Sequence, residues 1–367
     1  MRIKVTKLLN TRVGGAHTTY QTGAVREPGD VIEVTGIVQG EELDGNNTWY
    51  KVGDDANSHY WSGGAEQIDG TGSNYQQWMI DLNLPEIWGR YAGTGVGVAV
   101  VDTGIAPGIA DLFYNQSKYY VYGDDDVEIK DNAGHGTFCA SLVGLRNTSG
   151  NHVGVAPGSN LFACKISEKR TFENTERDAQ RYADAINWCA KMPDIHVVSI
   201  SWSSGLGNEV TKGLIQEAIN NAVANNKIVV CSIGNSIVFG DTSKYYPACL
   251  KNTIGVGMVP DKENGYPCIN EFLSLVTNGS QIKSYDQNNE LIADSGSSFA
   301  TAITSGIIAL MIQKMNFSYS LAVITEKLAA MTQKTTFIIT EDGNPPVSFD
   351  LPLLKPELLL NFFNDFV

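Results

Sequence analysis

The feature that most constrains the fold is an alternation of apolar runs and helix-like segments from Leu82 to the end of the chain. The run 96–101 contains no polar side chain, as is typical of a strand buried on both faces of a parallel sheet. We predict strands at 96–101, 160–166, 194–201, 227–232 and 252–259, and helices at 138–145, 174–191, 209–225 and 298–315. This alternation predicts an α/β fold with a doubly wound, mostly parallel sheet, whose sites lie at the carboxyl ends of the strands.

The first 68 residues follow a different pattern. Short alternating runs are separated by turn signals such as Pro28-Gly29-Asp30, and no helical periodicity is present. About five short strands are indicated, which is enough for a small sheet or barrel. The stretch 69–74 is rich in glycine, serine and asparagine and is typical of a linker. We therefore predict a β module at 1–68, a linker at 69–77 and an α/β domain at 78–367.

Charge and composition exclude several classes of function. The net charge of −14 argues against binding to nucleic acid or to an anionic membrane, because both require clusters of lysine and arginine. No apolar run approaches the roughly 18–20 residues of a membrane span, and the N-terminus lacks the apolar core of a signal peptide. We expect a cytoplasmic protein if the sequence is complete, and a secreted one if a leader has been removed.

The six cysteines show no metal-ligand spacing. Cys139, Cys164, Cys189 and Cys231 lie in apolar segments, and we expect them to be buried thiols. Cys249 and Cys268 flank a loop-rich stretch, and their state, bridged or free, is left open.

Ser298 stands where a small-residue turn, Gly296-Ser297-Ser298, opens into an apolar run with helical spacing. The first N–H groups of a helix lack partners, and the helix dipole favours negative charge there. Two roles are open for this hydroxyl. It can be an N-cap, which stabilises a helix by about 1 kcal/mol, or a nucleophile whose oxyanion forms beside donors already in place.

Three more polar residues fall at strand ends or helix starts of the same pattern. Asp102 ends the first buried strand, His135 lies between two glycines just before a helix, and Asn235 follows another buried strand. Each of them alone is explained by turn chemistry. The order Asp, Gly-His-Gly-Thr, Gly-Asn, Gly-Ser-Ser is not.

With these motifs, residues 78–367 resemble the subtilisin-like serine proteases (subtilases). The resemblance implies that Asp102 orients the imidazole, that His135 is general base and then acid, and that Ser298 is the nucleophile. It also implies that Asn235 is an oxyanion-hole donor. The substrate-binding residues it implies are Ser201, Trp202, Ser203 and Gly234.

The sequence departs from the family pattern at several places. Ala302 stands for proline, Ser297 for threonine, Phe299 for methionine, Phe138 for a second histidine and Ser203 for glycine. These changes leave the reacting groups intact.

The resemblance implies no required cofactor. The loop 146–151 overlies a calcium loop of many relatives, but it offers Asn147 and no carboxylate. A structural calcium ion stays an open alternative, and no metal ligand is assigned.

The first 68 residues resemble a bacterial SH3 domain in the order of the segments 9–12, 29–30, 34–36, 48–52 and 60–62. Five aromatic residues there are explained either as a peptide groove or as the core of a small domain: Tyr20, Trp49, Tyr50, Tyr60 and Trp61. The implied partner is a peptide or protein ligand, and the implied role is substrate recruitment or regulation.

The leading hypothesis is a serine endopeptidase that acts on protein or peptide substrates through an acyl-enzyme. Two alternatives are a catalytically silent binding or regulatory protein with this fold, and an enzyme that transfers the acyl group to an amine instead of water.

Overall fold

The computed structural model describes residues 2–34, 36–52, 58–69, 75–115, 130–146, 153–169, 176–205, 208–340 and 345–365. The chain divides into two compact units, Met1–Tyr75 and Gln76–Val367. Each unit is described by itself. Within these residues, no helix combines the length and the apolar character needed to cross a membrane.

The N-terminal unit is built from strands and one short 3₁₀ turn at Ser62–Gly64. Its strands are β1 Arg2–Val5, β2 Leu9–Val13, β3 Gln21–Arg26, β4 Val31–Glu33, β5 Gly36–Leu43, β6 Asn46–Lys51, β7 Ser58–Trp61 and β8 Ala65–Asp69. They form two antiparallel sheets with the orders β4-β1-β8 and β3-β2-β7-β6-β5. The prediction of a small all-β module is confirmed, and its SH3-like character stays a prediction.

The estimate of about five strands was too low. β3 (Gln-Thr-Gly-Ala-Val-Arg) has exposed residues on both faces, so it lacks the alternation that marks a half-buried strand. Of the five aromatic residues, Trp49, Tyr50 and Tyr60 are buried, which favours the core explanation for these three. Tyr20 remains 45% exposed.

The C-terminal unit alternates strands with helices, as predicted. Its strands are β9 Gly97–Asp102, β10 Tyr114–Asn115, β11 Asn160–Lys165, β12 Val197–Ile200, β13 Ile228–Ser232, β14 Asn235–Ser236, β15 Ile254–Met258, β16 Tyr266–Pro267, β17 Leu273–Thr277, β18 Ile282–Tyr285, β19 Leu291–Asp294, β20 Thr332–Ile339 and β21 Val347–Leu354. Its helices are α1 Gln77–Asp81, α2 Leu84–Trp88, α3 His135–Gly144, α4 Glu176–Lys191, α5 Glu209–Ala224, α6 Ser297–Lys314, α7 Leu321–Ala330 and α8 Pro356–Asn364.

Nine of these strands form one sheet in the order β10-β11-β9-β12-β13-β15-β17-β21-β20. Every neighbouring pair is parallel except β20 and β21. The chain continues from β9 to β11 on one side and then returns to β12 on the other side. The strand order therefore reverses beside β9, and open α/β sheets bind ligands at the carboxyl ends of strands at such a point.

Helices cover both faces of the sheet. Ala99 and Val101 of β9 pack in one core cluster with α4 and α5, and α3 and α6 contact each other and β9 on the opposite face. The α6 residue Ser305 reaches the sheet there, because its Oγ lies within hydrogen-bond distance of Ser199 Oγ of β12, at 2.9 Å. The doubly wound α/β prediction is confirmed.

Helix α6 is buried on nearly all sides. Two of its hydroxyl groups bond within the helix: Thr301 Oγ1 donates to the Ser297 carbonyl at 2.7 Å and Ser305 Oγ to the Thr301 carbonyl at 2.9 Å. Because these polar groups are satisfied, they are compatible with a helix that crosses the core.

Candidate active site

Asp102 is the last residue of β9, and His135 is the first residue of α3. The Asp102 carboxylate is fully buried, and its two oxygens lie 2.8 and 3.0 Å from His135 Nδ1. An ionised carboxylate only accepts hydrogen bonds, so Nδ1 carries the proton and Nε2 holds the lone pair of the neutral ring. Asp102 Oδ1 also accepts from the Thr103 N–H at 2.8 Å, so the carboxylate makes a turn contact as well as its contact with the imidazole.

The helix that carries His135 is fixed at its start by a second buried carboxylate, Asp131. Asp131 Oδ1 accepts from the N–H groups of Ala133 and Gly134 at 2.9 and 2.8 Å. Asp131 Oδ2 accepts from both the N–H and the hydroxyl of Thr137 at 2.8 and 2.7 Å. These bonds satisfy N–H groups that have no partner within the helix, and the negative charge suits the helix N-terminus.

The two positions around His135 are occupied by glycine for different structural reasons. Gly134 has φ +82°, a conformation that glycine adopts without strain, and the Gln287 side chain covers it. A Cβ on Gly136 would lie 2.2 Å from the Gly104 carbonyl oxygen. The start of α3 therefore contacts the loop after Asp102 directly, which brings the imidazole to the carboxylate.

A buried cation supports the segment before His135. The Lys165 side chain at the end of β11 is fully buried, and its Nζ donates to the Lys130 carbonyl at 2.5 Å and pairs with Glu168 at 2.7 Å. Glu168 in turn accepts from Asn132 Nδ2 at 3.0 Å. Residues 130–132 are thus tied to β11, the strand next to Asp102.

Ser298 is the second residue of α6, whose N-cap is Gly296. The N-cap explanation of the Ser298 hydroxyl is therefore wrong, because that hydroxyl lies inside the helix and makes no capping bond. Ser298 and Gln313 are the two residues of α6 that are not buried. Gln313 accepts from the N–H groups of residues 92–94. Ser298 is thus an accessible hydroxyl at the start of a buried helix.

Asn235 is exposed just after β13, and one hydrogen bond fixes its amide. Its Oδ1 accepts from the Ser297 N–H at 2.7 Å. A backbone N–H only donates, so the oxygen and nitrogen of the amide are assigned by this contact. The amide nitrogen faces Gly296, where a Cβ would lie 3.3 Å from it. The Nδ2 group of Asn235 and the N–H of Ser298, in the first turn of α6, are therefore both close to Gly296.

Ser297 joins this part of the site to the sheet. Its hydroxyl donates to the Gly234 carbonyl at 3.0 Å and accepts from the Met258 N–H at 3.3 Å. Both bonds are made by the side-chain hydroxyl of Ser297. The serine that replaces the family's threonine retains this group.

Aromatic rings surround the imidazole. Trp202 lies edge-on to His135 at 6.5 Å between ring centroids, and Phe299 lies at 5.9 Å. Phe299 packs on Phe138 at 4.4 Å. The two phenylalanines that depart from the family pattern therefore contact each other, and one of them contacts His135.

The residues predicted to bind substrate follow β12 and β13. Ser201 and Trp202 are buried, Ser203 is partly exposed, and Ser201 Oγ has no hydrogen-bond partner within the described residues. The next residue, Ser204, pairs with Tyr246 through two backbone bonds of 2.9 Å. Gly234 follows β13, with the Tyr245 ring packed against it.

A search for metal ligands among the described residues finds one cluster, Asp102, His135 and Cys139, whose ligand atoms lie within 4.8 Å of one another. Two members of this cluster are bonded to each other, and the third is a buried cysteine. The calcium loop suggested for 146–151 lies, apart from Arg146, outside the described residues.

All six cysteines are described, and none forms a disulfide. The four thiols expected to be buried are buried, and so is Cys268, whose pKa burial raises to about 12.

Several of these residues were not identified from the sequence. Asp131 stands four residues before His135, and the motif Asp-x-x-Gly-His-Gly-Thr carries a usable signal, since an aspartate before a helix start is a capping signature. Lys165 and Tyr245 carry no such signal. Lys165 and Tyr245 contact segments that are far away in the sequence, and these contacts exist only in the folded chain.

Comparisons with known proteins agree with this geometry. The model of the subtilase family matches residues 93–345. The chain is 31% identical over 227 residues to alkaline elastase YaB of Bacillus sp. (strain YaB), an alignment that covers 61% of this chain and 56% of that protein. It is 29% identical over 273 residues to the intracellular serine protease of Paenibacillus polymyxa, covering 72% and 80%.

Solved structures show the same fold. The serine protease MycP1, a component of a type VII secretion system, matches with a TM-score of 0.64 and 19% identity over 80% of this chain and 90% of that one. A cold-adapted subtilisin-like serine proteinase matches with a TM-score of 0.57 and 22% identity over 73% and 90%. Since the family model covers well over half of the chain, this protein belongs to the subtilase family of serine proteases.

Proposed function

We propose that this chain is a serine endopeptidase that hydrolyses peptide bonds of protein or peptide substrates through an acyl-enzyme. Ser298 is the nucleophile, His135 the general base and then acid, and Asp102 the group that orients the imidazole. Asn235 Nδ2 and the Ser298 N–H are the oxyanion donors.

The proposed reaction follows from the groups present. His135 Nε2 takes the hydroxyl proton as Ser298 Oγ attacks the peptide carbonyl, and Asp102 stabilises the imidazolium that forms. The C–N bond then breaks, and the departing amine takes the proton from His135. A water molecule, deprotonated by the same imidazole, attacks the acyl carbon, and Ser298 leaves with its proton restored.

The observation that carries this proposal is the exposure of Ser298 in a helix that is otherwise buried except for Gln313. A hydroxyl that serves only packing has no reason to face solvent at the end of a core helix. The next residue, Phe299, contacts the His135 ring, and Asn235 bonds the residue before. The two chain neighbours of Ser298 therefore contact the predicted base and the predicted oxyanion donor, which supports the proposal.

The test combines a fluorophosphonate probe with hydrolysis of a peptide library. We expect the probe to label the full chain at Ser298 and the library to be cleaved. Ser298→Ala or His135→Ala should abolish labelling and lower kcat by about 10⁶, the magnitude established in subtilisin, itself a member of this family. Circular dichroism of each variant checks that it is folded.

The same experiment separates the alternatives. A folded wild-type chain that is neither labelled nor active contradicts the proposal and supports a silent binding protein. Products that carry an added amine in place of a new carboxylate support acyl transfer instead of hydrolysis.

We also propose that the N-terminal unit recruits substrate or regulates the protease. Its support is a compact all-β unit with a core of its own, which includes Ile3, Ile32 and Tyr60. Removing residues 1–75 should leave cleavage of a short peptide unchanged and alter cleavage of a folded protein substrate. No difference with any protein substrate would contradict this role.

A further inference from the structure

Within the C-terminal unit, the Tyr245 ring packs against one predicted substrate-binding segment, and the next residue pairs with the end of the other. Gly234, the residue before Asn235, has φ +103°, and a Cβ there would lie 2.5 Å from Tyr245 Cδ2. The Tyr245 ring therefore packs directly against the Gly234 backbone. Because glycine has no side chain, the Tyr245 ring can contact the backbone at 234 directly.

The residue after Tyr245 is hydrogen-bonded to the end of the other segment predicted to bind substrate. Tyr246 exchanges two backbone hydrogen bonds of 2.9 Å with Ser204, which directly follows the predicted substrate-pairing residues Ser201–Ser203. Tyr246 is buried, whereas Tyr245 is partly exposed. Tyr245 thus lies at the junction of both segments, with part of its ring toward solvent.

A peptide whose carbonyl lies between Ser298 and Asn235 must place the side chain of its P1 residue near Gly234, because Gly234 adjoins the oxyanion donor. The Tyr245 ring packs against the Gly234 backbone on that side. Large P1 side chains would have to displace the ring, and small ones would not.

We propose that Tyr245 is the specificity-determining residue of this site, and that the enzyme cleaves after small residues such as glycine, alanine and serine. This inference rests on the proposed endopeptidase function. It adds the substrate class to that function.

The test measures kcat/KM for a series of tetrapeptide anilides that differ only at P1, with alanine, leucine or phenylalanine. Fluorophosphonate titration of Ser298 gives the active concentration of each preparation. For the wild-type chain we expect alanine to exceed phenylalanine by about tenfold or more, since hydrophobic pockets discriminate side-chain size by roughly 10–200-fold. In Tyr245→Ala, the phenylalanine-to-alanine ratio should rise by about tenfold or more.

Tyr245→Phe is the matched control, because it retains the ring and removes only the hydroxyl. Its phenylalanine-to-alanine ratio should stay close to that of the wild-type chain. A labelled wild-type enzyme that prefers phenylalanine contradicts the inference about Tyr245 and leaves the proposed function intact. So does a Tyr245→Ala variant with an unchanged ratio.

If Tyr245→Ala is not labelled because it does not fold, the P1 series on the wild-type chain and on Tyr245→Phe still decides the question. A folded wild-type chain that is not labelled and cleaves none of the anilides contradicts the proposed function itself. The two failures are therefore distinguishable.

Discussion

The two halves of the candidate site are held in different ways. The histidine half consists of Asp102, Asp131 and His135, and side-chain oxygens make most of its bonds. Asp131 alone accepts four hydrogen bonds at the start of α3. The serine half, Gly234, Asn235, Ser297 and Ser298, depends on main-chain groups: Ser297 bonds the Gly234 carbonyl, and the Gly296 N–H donates to the Gly279 carbonyl at 2.8 Å.

This difference has a consequence for variants. In the histidine half, Asp102 contacts the imidazole, and Asp131 holds the start of the helix that carries it. Substitutions at Asp131 should therefore lower stability and rate together. In the serine half, the burial of α6 sets the position of Ser298. A substitution at Asn235 that retains an acceptor for the Ser297 N–H should therefore lower the rate and leave the free energy of unfolding nearly unchanged.

Among the variants that test this difference between the two halves, the largest effect is expected for Asp102→Asn. The substituted amide can donate to Nδ1 and so stabilise the wrong tautomer of His135, which should lower kcat by about 10⁴ with little change in KM. Steady-state kinetics on a peptide anilide, normalised to the active concentration, measures this loss. Asn132→Ala is the control, since it removes only the bond to Glu168. A comparable loss in that variant would show that support for the loop, and not the imidazole contact, limits the rate.

A loss of about 10²–10³ in kcat is expected for Asn235→Ala, the range known for the corresponding donor in subtilisin. Asn235→Asp sharpens the comparison, because it retains an acceptor for the Ser297 N–H and removes the donor. For Asn235→Asp, the free energy of unfolding measured in urea should stay within about 0.5 kcal/mol of the wild-type value while the rate is lost. If Asn235→Asp retains the rate, Asn235 does not act as a donor.

Much of this arrangement could be predicted from the sequence, for reasons that are local. Asp102, His135, Asn235 and Ser298 each follow a strand or open a helix, and such positions show as a polar residue or glycine at the edge of an apolar run. Their grouping at one edge of the sheet follows from parallel strands alone.

What could not be predicted depends on contacts between distant segments. The helix was predicted at 298–315, but its burial on nearly all sides was not, because the hydroxyls of Thr301 and Ser305 find their partners only in the folded helix. Tyr245 is an aromatic residue in a loop, and its contact with Gly234 exists only in the folded chain. β20 and β21 were not predicted. They pair with each other through exposed polar residues such as Thr336 and Asp350 and through the aromatic pair Phe337 and Phe349.

For Asp131→Ala we expect a combined effect in the histidine half. The substitution leaves buried N–H groups at the start of α3 without their acceptor and should lower the free energy of unfolding by about 2–4 kcal/mol. Because the same helix turn carries His135, kcat should fall as well. Urea unfolding and active-site-normalised kinetics measure the two losses. A fall in rate at unchanged stability would make the two halves alike and remove the distinction between them.

The smallest effect concerns the ring pair that links the halves, since Phe138 belongs to α3 and Phe299 to α6. Both depart from the family pattern, where histidine and methionine stand, and their centroids are 4.4 Å apart. We expect Phe138→His and Phe299→Met to destabilise the chain separately and to be partly compensated in the double variant. The coupling should be about 0.5–1.5 kcal/mol in a double-mutant cycle.

The kinetic part of that cycle decides what the ring pair does. Phe299 contacts His135 as well as Phe138, so a positioning role should show as a change in kcat that the double variant reverses along with stability. Coupling in stability with no change in kcat would mean that the pair only fills the core between α3 and α6. Each half would then position its own reacting groups, without help from the other.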